Sequence, residues 1–205
     1  KRLHTPVRQI ENLDTPSGKR TVAISTDSGT EWFDKVIIAT HSDQALHLLA
    51  APTPQERDTL GAIQYQPNKA VLHTDTSVLP QRQKAWAAWN YERANSSAQE
   101  DTRVCLHYLL NRLQPLPWDQ PVLVSLNPLR PIAKDKVIGE YDYAHPVFDL
   151  AAVAAQGRMP ALQGQQHRYY AGAWMGYGFH EDGLKAGLAA AAKLLADVGR
   201  EKAAA

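Results

Sequence analysis

RYYAGAWMGYGFHEDGLKAGLAAAAKLLADV, residues 168–198, contains the features that organise the chain. A short apolar run, Tyr169–Trp174, opens the stretch and reads as a strand. A turn with Gly172, Gly176 and Gly178 follows, and then a long helical pattern. In that pattern Leu184, Leu188, Ala191, Leu195 and Val198 recur at helical spacing along one face. His180, Glu181 and Asp182 stand where the helix begins, and acids suit a first turn whose unpaired N–H groups carry partial positive charge. A strand, a glycine crossing and a helix start can present bare backbone N–H groups to a ligand. The same residues also serve as a plain tight connection. The dinucleotide fingerprint G-x-G-x-x-G is excluded, because Glu181 stands where the third glycine would be.

With 205 residues, 44% of them hydrophobic and 21% charged, the chain can bury a core of ordinary composition. A net charge of +1 and the lack of a basic run interleaved with aromatics argue against nucleic acid as a partner. The single cysteine, Cys105, excludes an intramolecular disulfide and suits a reducing compartment, so the expected location is cytoplasmic. No apolar run is long enough to span a bilayer. No HExxH or paired Cys/His spacing occurs, so no metal is expected; His73 and His107 fall on strand patterns and read as structural.

Along the chain, His4–Leu13 and Thr21–Thr26 read as strands, each ended by a turn, at Asp14–Gly18 and Asp27–Gly29. Glu31–Thr40 ends in Val36-Ile37-Ile38-Ala39, a continuous apolar run expected to be a strand buried on both faces. Ser42 or Asp43 can cap a helix over 44–50, and Pro54 starts another to about Ile63. Strands are expected at 69–75, 84–91, 103–109, 121–126 and 136–143. A polar loop is expected at Glu92–Asp101, a helix at Phe148–Gln156, and a connection at Gly157–Gln166. Alternation through 84–91 puts Trp89 and Tyr91 on one face and Trp86 on the other. These three read either as sheet packing or as walls of an apolar cavity.

Tyr170-Ala171-Gly172-Ala173, then Gly178-Phe179-His180-Glu181-Asp182-Gly183 and Ala186-Gly187, resemble the C-terminal flavin motif of the FAD-dependent amine oxidase superfamily. That superfamily includes monoamine and polyamine oxidases, protoporphyrinogen oxidase and phytoene-desaturase-like enzymes. Tyr65–Asp75, Ala85–Tyr91, Leu126-Asn127-Pro128 and His145–Asp149 are similar to a bacterial branch of predicted NAD/FAD-binding oxidoreductases. The fold implied is α/β (α+β): part of a two-dinucleotide-type FAD-binding domain at 1–40 and 165–200, an inserted β-sheet substrate domain carrying helices at 41–164, and a tail at 201–205.

The resemblance implies that Val7 gives backbone contacts to the adenine and that the loop from Thr40 runs close to the ADP. Gly172 and Ala173 would lie along the ribityl chain. Gly178, Phe179 and His180 would line the flavin loop, with Asp182, Gly183 and Leu184 near N1 and O2 of the ring. Many relatives carry an acid after the first glycine, where this chain has Ala173. Trp86, Trp89, Tyr91, Trp174 and Tyr177 are the residues implied for the substrate cavity. No catalytic side chain is assigned, since flavin chemistry requires no protein nucleophile.

The resemblance also implies an N-terminal G-x-G-x-x-G unit, whereas residues 1–30 hold only Gly18 and Gly29. The expectation is a C-terminal portion of a larger enzyme, with the missing N-terminal portion as its partner. FAD would be bound by the full-length protein and absent from this inactive piece. The implied reaction is hydride transfer to FAD from an amine or a lipid- or isoprenoid-like substrate. The alternative is a non-catalytic, degenerate member acting as a ligand-binding module.

Overall fold

The computed structural model describes residues 1–14, 20–93 and 105–204. Most of the sequence-read turn at Asp14–Gly18, most of the loop at Glu92–Asp101, the start of the strand at 103–109 and the end of the 201–205 tail lie outside the described residues. Two compact units emerge: Lys1–Tyr65 with Pro146–Ala205, and Gln66–His145. The boundaries thus lie at 65/66 and 145/146, so the helices on either side of the middle unit group with the chain's ends.

The first unit opens with β1 (Val7–Asp14), β2 (Arg20–Thr26) and β3 (Gly29–Phe33), paired antiparallel in that order. Ile10 lies opposite Ile24, and Val22 is fully buried, so alternation sends these residues to the core. β4 (Val36–Ile38) then pairs in parallel with β10 (Arg168–Tyr170), the strand that opens the organising stretch. The sequence expectation of a strand buried on both faces is corrected here. Ile37 is 40% exposed, because its face of β4 lines an open cleft.

Three helices cover this sheet. α1 (Ser42–Leu48) starts two residues earlier than expected, with His41 as its cap. α2 (Pro54–Leu60) has a capping box: Glu56 N–H donates to the Thr53 hydroxyl at 3.1 Å, and Thr53 N–H donates to the Glu56 carboxylate at 2.7 Å. Pro54 at the first position loses nothing there. α3 (Leu150–Leu162) is capped by Asp149 and runs through Gly157 and Pro160, where a connection was expected. Its buried stripe of Ala152, Ala155, Met159 and Leu162 continues past both residues, and this packing outweighs the helix bond lost at Pro160.

α4 (His180–Ala204) is the long helix expected from the repeat at Leu184–Val198. Leu184, Leu188 and Leu195 are 58%, 62% and 69% exposed, while Ala186 and Ala190 are buried. The small face packs against Tyr169 and Ala171, and the leucine stripe points outward. Asp197 anchors the helix by accepting the Tyr169 hydroxyl at 2.8 Å while pairing with Lys193 at 2.6 Å.

The second unit is a five-stranded sheet in the order β6 (Trp89–Glu92), β7 (Cys105–Leu109), β8 (Leu123–Leu126), β5 (Tyr65–His73), β9 (Val137–Pro146). Cross-strand register puts Trp89, Tyr108, Val124 and Leu72 in one row, and Tyr91, Leu106, Leu126 and Ala70 in the next. These two rows form an apolar face. The opposite face carries Asn90, His107, Ser125 and Val71. It also holds Leu109 and Leu123, which pack with Val78, Leu79 and Trp86.

Asp75 secures this second unit. Its carboxylate accepts N–H bonds from Ala133 and Ser77, both at 3.0 Å, with Lys136 at 3.7 Å. The Ala133 bond is the largest influence holding the carboxyl at about 2, against an ordinary 3.8. A depressed carboxyl stabilises the fold above its unfolded value, and that contribution is lost as pH falls from 3.8 toward 2. Asp75→Asn should therefore remove on the order of 1–2 kcal/mol at neutral pH and flatten stability across that acid range. Denaturant titrations of both forms at neutral and acid pH test this, and parallel pH profiles would contradict it.

Candidate functional site

In the first unit the residues read from the sequence as flavin contacts fall at Val7 on β1, in the loop after β4, and along the crossing from β10 into the first turns of α4. β10 ends at Tyr170, earlier than the expected strand to Trp174, and residues 173–175 form a 3-10 turn. Trp174 then turns inward, is 3% exposed, and donates its indole Nε1–H to the Thr40 carbonyl at 2.9 Å. The two loops are thereby tied together. The substrate-cavity reading of Trp174 is corrected: the side chain belongs to the core and supports the site from beneath.

Gly172 has a local reason. A Cβ there would lie 2.3 Å from Trp174 Nε1, so any side chain would displace the indole from Thr40. At Gly176 a Cβ would meet the Asp182 carboxylate at 2.5 Å. That carboxylate turns back onto its own loop, accepting N–H bonds from Tyr177 at 3.1 Å and Phe179 at 3.0 Å. Gly178 has φ +89°, a conformation that favours glycine. Asp182 and Gly183 N–H both donate to the Phe179 carbonyl, at 3.0 and 3.2 Å. His180 and Glu181 come before the first helical bond, so their N–H groups lack an intrahelical acceptor. Tyr177, Phe179 and Leu184 are exposed around this start, and Ala173 lies against Gly183 at ordinary contact distance.

The Thr40 loop borders an open cleft of 990 Å³ lined by Val7, Ile10, Ile24, residues 36–40 and one side of α1. Val7 is exposed to this space, not packed in the core. Tyr65, which the sequence reading did not single out, fixes the loop. Its hydroxyl accepts the Ser42 N–H at 2.9 Å and its ring stacks on His41 with centroids 4.4 Å apart. Burial pushes the Tyr65 phenol above its ordinary value, so it stays a neutral partner.

The remaining sequence-read aromatics lie in the second unit. Trp89 and Tyr91 stand on the apolar sheet face, with Trp89 edge-on to Tyr108 at 5.2 Å. Trp86 lies outside β6, after a 3-10 turn at Gln83–Ala85, because the expected strand over 84–91 begins only at Trp89. Its indole N–H donates to the Pro80 carbonyl, and its ring packs on the opposite face. Trp86 thus lies on the face opposite Trp89 and Tyr91, as alternation placed it, and of the two readings given for it the structure shows packing. Among the described residues, no helix is long and apolar enough to cross a membrane.

No protein-family model and no curated protein matches the chain. Solved structures do. A fatty acid isomerase from P. acnes is 17% identical with a TM-score of 0.56, over 87% of this chain and 44% of its own. Cyclohexylamine oxidase from Brevibacterium oxydans is 12% identical with a TM-score of 0.57, over 95% of this chain and 48% of its own. Putrescine oxidase bound to putrescine is 12% identical with a TM-score of 0.58, over 94% and 48%. The chain spans less than half the length of these structures. At such identities the likeness shows the fold alone: this chain shares the architecture of a little under half of each of these enzymes.

Proposed function

We propose that this chain forms part of the FAD-binding domain, together with the substrate-binding sheet, of an oxidoreductase acting on an amine or a lipid- or isoprenoid-like molecule. The observation that most supports this is the exposed crossing from Tyr177 to Leu184. It offers two N–H groups without an intrahelical acceptor at a helix start, flanked by apolar side chains, and so suits the carbonyl-bearing edge of a planar ring. Gly178, Phe179, His180, Gly183 and Leu184 would hold that ring. Asp182 would keep the loop in shape through its two N–H bonds. Gly172 and Ala173 would border the ribityl chain, and Val7 and Thr40 the adenosine end along the open cleft. Bound FAD would supply a hydride acceptor. The protein's own part is to position the ring and to hold an apolar substrate on the face carrying Trp89, Tyr91 and Tyr108.

The open edge of β4 and the outward leucines of α4 suit cover by the remainder of a longer protein. The full-length protein is expected to purify with flavin, whereas the 205-residue chain alone should bind it weakly. Gly183→Leu tests the loop directly. Its added Cβ meets Ala173 at an ordinary 3.8 Å, so the fold tolerates it while the longer side chain crowds the ring's place. Flavin content of the full-length variant should fall about tenfold or more, equivalent to at least ~1.4 kcal/mol of binding. Unchanged flavin content would remove this loop from the cofactor site. Flavin reduction by an amine panel against unsaturated lipids then decides the substrate class.

A further inference from the structure

Sheet pairing in the second unit gathers three donors that are scattered in the sequence. β6 and β7 run antiparallel with Glu92 opposite Cys105 and Asn90 opposite His107. On the face opposite the apolar rows, Glu92 Oε2 lies 2.9 Å from His107 Nε2 and 4.0 Å from Cys105 Sγ. The sulfur lies 3.5 Å from the same nitrogen. All three ligand atoms fall within 4.8 Å of one another, and Cys105 and His107 are each 1% exposed. From zinc's usual bond lengths, tetrahedral N, O and S donors stand about 3.3–3.6 Å apart. Shifts of about half an ångström or less would bring these atoms to that spacing.

The surroundings fit the same assignment. Glu92 Oε1 is held by Arg130 Nε at 2.9 Å, leaving Oε2 for the centre. His107 Nδ1 lies 2.6 Å from Ser125 Oγ, which in turn lies 2.6 Å from His73 Nε2. His73 Nδ1 accepts the Asp75 N–H at 3.0 Å, which fixes its proton on Nε2 and directs it to Ser125. A hydroxyl oxygen can accept from both rings. A carboxylate only accepts, so the 2.9 Å contact with Glu92 Oε2 is donated by His107 Nε2–H. A bound cation would displace that proton, and His107 would then carry its proton on Nδ1, donating to Ser125 Oγ. Such outer partners orient metal-bound histidines and carboxylates. A divalent cation would displace the Cys105 proton, and one thiolate with one carboxylate would balance its charge.

We propose that Glu92, Cys105 and His107 form a three-donor site for a single zinc ion. Sulfur and imidazole donors select zinc over magnesium or calcium. A cleft reaching Glu92, His107, Asn90 and Arg130 gives access to the fourth position. Linear spacing conceals the site, since Glu92 and Cys105 meet only through strand pairing. The assignment is independent of the flavin proposal.

The test uses metal-free full-length protein titrated with Co²⁺ and then Zn²⁺. One Co²⁺ should bind with a sulfur-to-cobalt charge-transfer band that Zn²⁺ abolishes. Cys105→Ser should lose the band and weaken Zn²⁺ binding about 100-fold, and Ser125→Ala should weaken it about 10–100-fold. If Cys105→Ser does not fold, alkylation of the wild-type protein decides, with one equivalent of Zn²⁺ expected to protect Cys105 by peptide mapping. Absence of the sulfur band, a Zn²⁺ affinity indifferent to Cys105→Ser, or unprotected Cys105 would each overturn the proposal.

Discussion

Glu56→Ala is expected to lower the stability of the first unit by about 3–5 kcal/mol, because it strands a buried guanidinium. Arg168 Nη1 lies 3.0 and 3.1 Å from the two Glu56 oxygens, and both side chains are almost fully excluded from solvent. The Tyr170 hydroxyl donates to Glu56 Oε1 at 2.6 Å, and Thr53 N–H to Oε2 at 2.7 Å. Burial, reinforced by Glu56, raises the Tyr170 phenol well above its ordinary value and keeps it a donor. One carboxylate thus holds strand β10 to the start of α2. Arg168 Nε already has no partner among the described residues, so removing Glu56 leaves the cation with little compensation. Glu56→Gln should fall between the wild type and alanine, since its one amide oxygen keeps part of the hydrogen bonding but the charge is lost. Urea unfolding followed by far-ultraviolet circular dichroism measures both. A loss below about 1 kcal/mol for Glu56→Ala would show that the pair is not a keystone of the unit.

Trp174→Ala carries the second large effect, about 3–5 kcal/mol from the cavity left in the core. Its functional consequence is separable. Trp174→Phe fills most of that space but removes the bond to the Thr40 carbonyl, so it should cost only about 1–3 kcal/mol. Because that bond joins the two loops proposed to hold the cofactor, Trp174→Phe should also lower flavin content of the full-length protein. Flavin occupancy measured on folded Trp174→Phe protein separates the roles. Full occupancy would mean that Trp174 serves packing alone.

Where the sequence reading succeeded, the determinants were local. Pro54 at a first-turn position announced α2. The apolar run at Val36–Ile38 announced the strand that pairs in parallel with β10. The glycine crossing before His180 announced the start of α4 and the exposed loop beside it. Its failures arose where distance or size mattered more than pattern. The leucine stripe of α4 is visible in the sequence, but not which face turns inward: Ala186 and Ala190 do, where small residues let the helix approach Tyr169 closely. Trp86 reads as part of a strand by alternation, but a 3-10 turn comes first. Glu56 carries a capping signal that is visible locally. Its partner Arg168 lies 112 residues away and follows only from the completed fold. Ala173 and Gly183 likewise meet only once β10 and α4 are in place.

The division of the first unit between the two ends of the chain bears on how the polypeptide folds as it is made. The middle unit, Gln66–His145, is contiguous and emerges from the ribosome whole. The parallel partnership of β4 with β10 must wait for the final third of the chain. Synthesis proceeds from the N-terminus and long-range pairings close slowly. The nascent protein therefore passes through an interval in which its central sheet is complete while Val36–Ile38 still has no β10 beside it, and that interval is when chaperone engagement would matter most.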